Sequence, residues 1–278
     1  MQTYIELRKK RELGDILSDT FAFARINKTP LFNILLKTTL IFFLLNVFFS
    51  GIYQYANLNR LATSDLLPFF GSLMLFLLGT VLYYASATSS IYAFMQNYSE
   101  TKGNIDEQAI IQAAKNNTGQ LVVLSIICYI MLILGIVFLI FPGIYFIVPI
   151  AIAFPVFCFK GLGKIESIQA AFKLISGYWW VTFGTILVIG ILISIISFVF
   201  QLPGTVYLTV KAFFSAMENT GGLDQLPGDF VYLILATIGS AAGSILSIFM
   251  IIATGLVYFD LDEEKNNTGI RAKLEELG

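Results

Sequence analysis

Histidine is missing from this 278-residue chain, and only 13% of its residues are charged, against about 25% in an ordinary soluble domain. The missing imidazole removes the side chain most used for acid–base chemistry near neutral pH and the commonest metal ligand. Only two cysteines occur, Cys128 and Cys158, and they are not spaced as a zinc or redox pair; both read as apolar-like thiols within the fold. A net charge of −1 offers no basic face for nucleic acid. No phosphate-binding glycine loop, nucleophile elbow or dinucleotide motif is present. The expectation is a chain that is not an enzyme, carries no cofactor or metal and binds no nucleic acid.

Apolar residues are abundant instead, at 57%. Five uncharged stretches run over 38–59, 66–99, 116–159, 174–210 and 230–259, each long enough for a bilayer-crossing helix of about 20 residues. The third would extend about 66 Å as one helix, twice the hydrocarbon thickness, so it must reverse. Pro142 and Gly143 mark that tight turn, because proline cannot donate to a continuing helix and glycine tolerates reversal geometry. Six spans follow, at about 32–54, 70–96, 120–141, 144–160, 178–201 and 230–257. The fifth is expected to end at Leu202-Pro203-Gly204, with 206–217 forming a short surface helix. Fourteen Lys and Arg fall in 1–30, 97–119, 160–177 and the tail, whereas Arg60 and Lys211 face the other side; positive loops lie inside, which places both termini in the cytoplasm. No Asp or Glu falls within a span, which counts against ion-coupled transport, since such carriers place ionisable groups at bilayer depth.

Amphipathic segments precede the odd-numbered spans. Leu13, Ile16, Leu17, Phe21 and Ala24 share one helical face; Ile110, Ile111 and Ala114 form a second, after an Asn104–Glu107 capping pair; Ile165, Ile168, Phe172 and Ile175 form a third that ends at Gly177. The fold class is therefore all-α: a polytopic membrane protein of six transmembrane helices in three hairpins, with surface helices before spans 1, 3 and 5. Residues 1–262 make one membrane domain and 263–278 a charged tail.

Several short motifs lie on this frame: Leu13-Gly14-Asp15-Ile16-Leu17 with Thr20-Phe21 and Asn27, Phe141-Pro142-Gly143-Ile144-Tyr145, Ala170-Ala171-Phe172 with Gly177 and Trp179-Trp180, and Tyr258-Phe259-Asp260-Leu261. In these the chain resembles the membrane-domain family found fused to some glycerophosphoryl diester phosphodiesterases and as stand-alone bacterial inner-membrane proteins. The resemblance implies a multi-pass protein of the bacterial inner membrane that supports envelope processes. It does not imply phosphodiester hydrolysis, which in that family belongs to a separate barrel that uses histidine and metal-binding carboxylates.

Candidate site residues are few and polar. Tyr83, Ser86 and Ser90 line one stripe of the second span and, with Asn46 in the first, form either a polar path or a helix-packing seam. Gly239, Ser240 and Gly243 form a small-residue face that permits close helix contact. Arg8, Lys9, Lys10 and Arg11 are either topology determinants or contacts to anionic lipid; Lys37 either snorkels to the interface or joins them. Tyr178, Trp179 and Trp180 suit a headgroup-level aromatic belt. The leading functional expectation is a non-enzymatic subunit or scaffold of an envelope complex, in contact with membrane lipids and other inner-membrane proteins. The alternative is a transporter of lipid or a small solute.

Overall fold

The computed structural model describes residues 4–63, 66–138, 140–217, 229–269 and 271. Among them every regular element is a helix: α1 (Leu13–Ile26), α2 (Lys28–Thr38), α3 (Leu40–Thr63), α4 (Leu66–Glu100), α5 (Glu107–Phe138), α6 (Ile140–Lys160), α7 (Lys164–Ile175), α8 (Trp179–Met217) and α9 (Phe230–Asn266). Six of these, α3 to α6, α8 and α9, are long and apolar enough to cross a membrane. The chain is an all-α, multi-pass membrane protein.

Several boundaries differ from the sequence reading, each for a physical reason. The first span begins at Leu40, since 28–38 forms the separate helix α2, which ends at Thr39. Pro142 and Gly143 are not the reversal but the third and fourth residues of α6, where proline costs little because the first amides of a helix have no intrahelical acceptor. Position 139, between α5 and α6, lies outside the described residues. Pro203 does not end the fifth span: α8 runs to Met217 with Pro203 inside it, as membrane helices tolerate proline where local adjustment and neighbouring groups satisfy the carbonyl it frees. The surface helix expected at 206–217 is the end of α8. The amphipathic segment before the third span likewise continues into it as α5. Asp106, not Asn104, caps that helix, its Oδ1 accepting the amides of Gln108 (3.0 Å) and Ala109 (3.1 Å). The expected tail at 263–278 starts late, since α9 extends to Asn266 and Glu263 is buried.

The described residues form two compact units. One comprises Met1–Thr39, Ala85–Ile191 and Ile248–Gly278. Its centre is the second half of α4, where every residue from Ala85 to Met95 is buried. That stretch reads Ala-Ser-Ala-Thr-Ser-Ser-Ile-Tyr-Ala-Phe-Met, small on most sides, so neighbours can approach closely. Ser89 donates to Ala114 O of α5 at 2.7 Å, Ser90 Oγ lies 2.7 Å from Thr38 Oγ1 of α2, and Tyr92 packs on Phe159 of α6. Phe94 meets Phe23 of α1 edge to face, and Gly255 of α9 leaves room for Met95, which a methyl there would meet at 2.9 Å. The α5–α6 hairpin closes just as tightly: a Cβ on Gly143 would stand 3.0 Å from Ile136 N.

The N-terminal segment is fixed to this unit by polar contacts. Arg11 Nη and Nε donate to Glu6 O, Leu7 O, Lys9 O and Asp19 Oδ2, and its amide donates to Asp260 at 2.7 Å. Lys10 pairs with Glu264 at 2.9 Å, Lys9 with Asp19 at 3.0 Å and Lys160 with Asp262 at 3.3 Å. Two short helices begin on the same half of a capping box: Glu12 N donates to Asp15 of α1, and Gly163 N to Glu166 of α7.

The other unit comprises Leu40–Tyr84 and Leu192–Ser247. Its polarity is inverted relative to a soluble domain: Ile41, Phe48, Leu67 and Phe230 are exposed, whereas Asn46, Ser50, Ser72, Tyr83 and Ser247 are buried. Lipid is the solvent such an exterior needs. Gly239 and Gly204 let α8 and α9 touch backbone to backbone, since a Cβ on Gly239 would meet Phe200 O at 3.1 Å and one on Gly204 would meet Ala236 N at 3.3 Å. Asp229 begins α9 as its cap: its carboxylate accepts the Tyr232 amide at 3.1 Å and the Tyr207 hydroxyl at 3.0 Å, and pairs with Lys211.

Candidate functional site

The strongest candidate is a cavity of about 230 Å³ within the second unit. Three spans each contribute polar side chains one helical turn apart: Asn46 and Ser50 from α3, Thr80 and Tyr84 from α4, Ser240 and Ser244 from α9. Residues at i and i+4 share a helix face, so the three pairs form three walls, and Gln201 of α8 adds a fourth. Asn46 lies about 9 Å and Ser50 about 15 Å along α3 from its start, inside a helix long and apolar enough to cross a membrane.

Hydrogen bonds tie the walls together. Asn46 Nδ2 donates to Ser244 Oγ at 3.1 Å, and Asn46 Oδ1 faces Thr80 Oγ1 at 3.2 Å. Tyr83 OH donates to Ser244 O at 2.5 Å, a carbonyl that also receives Ser247 Oγ at 2.6 Å. Gly79 lets α3 and α4 approach, since a Cβ there would stand 3.1 Å from Asn46 Cα. Ser50 is 2% exposed, and its Oγ has no partner among the described residues, although it borders the cavity. None of the described lining residues is charged. The arrangement can donate to and accept from a neutral polar group; it offers no charge for a phosphate or carboxylate.

The sequence-derived candidates sort differently. Asn46 and Tyr83 meet at Ser244 in this unit, whereas Ser86 and Ser90 belong to the first unit. There Ser86 Oγ donates toward Thr38 O at 3.0 Å or Thr39 Oγ1 at 3.2 Å, and Ser90 shares a bond with Thr38. The stripe therefore serves two separate polar clusters. In the small-residue face, Gly239 makes the close helix contact, but a Cβ on Gly243 would meet nothing within 4 Å. Gly243 and Ser240 line the cavity instead.

The basic candidates are mostly occupied within the protein. Arg11 is buried, with a side chain that is 0% exposed, so it cannot reach a lipid headgroup. Burial pulls its guanidinium below the ordinary arginine value, against the opposing pull of Asp19. Asp19 itself would be raised by burial, but hydrogen bonds from Lys9 and Arg11 outweigh that and hold its carboxyl below the usual range. Lys37 pairs with Glu107 of α5 at 2.5 Å, so its ammonium has a protein partner. Arg8 is exposed. Trp179 stacks on Tyr145 of α6 and donates Nε1 to its carbonyl at 3.2 Å, while Trp180 stands exposed beside it.

Sequence reasoning missed Ser50, Thr80 and Gln201. The signal was the repeated i, i+4 polar pair on three otherwise apolar spans, visible only when the spans are read together. Among the described residues no group of three or more Cys, Asp or Glu is placed to hold a metal. The α-helical multi-pass class rests on the fold itself, since no protein-family model, curated protein or solved structure matches this chain.

Proposed function

We propose that the chain is a bacterial inner-membrane protein with both termini in the cytoplasm, and that it works as a non-enzymatic subunit or scaffold of an envelope complex. The observation that carries the reading is a groove of about 540 Å³ in the first unit, lined by Ser18, Phe21, Ala22, Ala24 and Arg25 of α1 and by Phe249 of α9. Phe21 is 44% exposed there, and α1 is tied to the N-terminal segment by the Arg11–Asp19 hydrogen bond of 3.0 Å. A fixed amphipathic helix with an open aromatic face suits another membrane protein's helix. The excess of Lys and Arg in the loops of one side supports the orientation, and the family resemblance supports the compartment.

A photo-crosslinking amino acid at Ala22, expressed at native level, tests this reading. Capture of one defined membrane protein is expected, with loss of capture in Phe21→Asp; adducts to lipid alone refute it. A second reading, the handling of lipid or a small solute, is favoured by the uncharged polar cavity of the second unit. Reconstituted vesicles that move no lipid or polyol faster than protein-free vesicles would exclude it.

A further inference from the structure

We infer that the cavity bordered by Asn46, Ser50, Thr80, Tyr84 and Gly243 is a binding site for a neutral, hydroxyl-bearing group of the kind a diacylglycerol carries. The inference deepens the lipid-handling reading and rests on it for biological purpose, though not for binding. Polar side chains at hydrocarbon depth are costly unless partnered, and this cavity gathers seven of them. Their mutual bonds leave capacity unused: Ser50 Oγ has no partner among the described residues, and Asn46 Nδ2, with two hydrogens, makes one described bond. A hydroxyl both donates and accepts, so it can complete such a set. A phosphate cannot be held without cost, because the described lining has no cation to offset desolvation of its charge.

The space fits the same group. At about 30 Å³ per water in the liquid, 230 Å³ is room enough for a glycerol-sized head. Access from the bilayer is available at Tyr84, which lines the cavity and is 38% exposed. Gly243 keeps the space open, since a side chain there would meet no atom within its first 4 Å and would project into the cavity it lines.

The test uses the full chain in phosphatidylcholine nanodiscs with a diacylglycerol that carries a photoreactive diazirine near its hydroxyl. Adducts are expected on the α3 and α9 peptides around Asn46–Ser50 and Gly239–Ser244. Unlabelled diacylglycerol should reduce them by about tenfold or more, phosphatidylglycerol should not, and G243L and S240L should reduce them as far with unchanged thermal unfolding. Protection by free glycerol but not by diacylglycerol would assign the same site to a soluble polyol. Adducts spread evenly over all lipid-facing helices and indifferent to G243L would overturn the inference. Mapped adducts without lipid movement in reconstituted vesicles would leave the site standing and remove the transport reading alone.

Discussion

Replacing Gly143 by alanine tests the tightness of the α5–α6 hairpin. The added methyl would stand 2.5 Å from Ile136 Cγ1, 3.0 Å from Ile136 N and 3.1 Å from Ile136 Cα. Rotation of the Ile136 side chain can relieve the first contact, but the other two are backbone. The hairpin must therefore open by several tenths of an ångström along a seam where Gly135 and Gly143 face each other. Overpacking of this kind costs about 1–3 kcal/mol, and alanine recovers less than about 1 kcal/mol through its better helix propensity. A net loss of roughly 1–2 kcal/mol is expected, read as the midpoint of reversible unfolding in mixed micelles. Gly184, whose added Cβ meets nothing within 4 Å, is the control, and G184A should be neutral or stabilising. G135A should also destabilise, and the double variant should lose less than the sum, because the first methyl has already opened the seam. Equal midpoints for G143A and G184A would refute the reasoning.

Other perturbations follow from single contacts. Exchanging Asp229 for alanine removes the cap of α9 and the partner of Lys211 and Tyr207, with an expected cost of about 1–2 kcal/mol, read by unfolding in micelles. Burial alone would raise the Asp229 carboxyl, but bonds from Lys211, the Tyr232 amide and Tyr207 hold it below the ordinary value of 3.8. Its stabilisation is therefore present above that ordinary value and is lost as pH falls through the lower folded one; in D229N this acid-side loss should shrink, as followed by helicity between about pH 5 and pH 2. A double-mutant cycle on Thr38→Val and Ser90→Ala should give a coupling of about 0.6 kcal/mol, the usual worth of such a bond between membrane helices; zero coupling would show that the hydroxyls merely touch. Arg11→Ala strips the Glu6, Leu7 and Lys9 carbonyls of the guanidinium and leaves Asp19 with Lys9 alone, so residues 4–12 should exchange amide hydrogens faster than in the parent, while α5 and α6 stay protected; unchanged exchange would mean that Asp260 and Lys10 hold the segment without it.

Much of this architecture was legible because charge is so scarce. Uncharged runs longer than twenty residues have one stable home, and all six crossing helices lie where those runs predict. Ends were less legible, because local signals lose their usual meaning in lipid. Pro203 reads as a terminator in water, yet α8 continues through it, and Pro142 sits inside the first turn of α6. Amphipathic 107–115 gave no sign of its continuity with the span behind it. Thr39 breaks the chain between α2 and α3 without Gly or Pro, so the separate helix α2 left no local mark. The tail expected from position 263 contributes Glu264, which pairs with Lys10, and Asp260 just before it accepts the Arg11 amide, so residues about 250 positions apart in sequence anchor the N-terminal segment. The cavity was half visible: Asn46 and Ser240 stood out singly, but the walls they share with Thr80 and Gln201 come from four spans whose register no single-span pattern specifies.

The proposal that this chain is a complex subunit is tested most directly by mass spectrometry of the protein tagged at native expression and extracted with its surrounding lipid intact. The account predicts one stoichiometric membrane-protein partner, retained in the parent and lost in Phe21→Asp. A monodisperse, partner-free protein would contradict it.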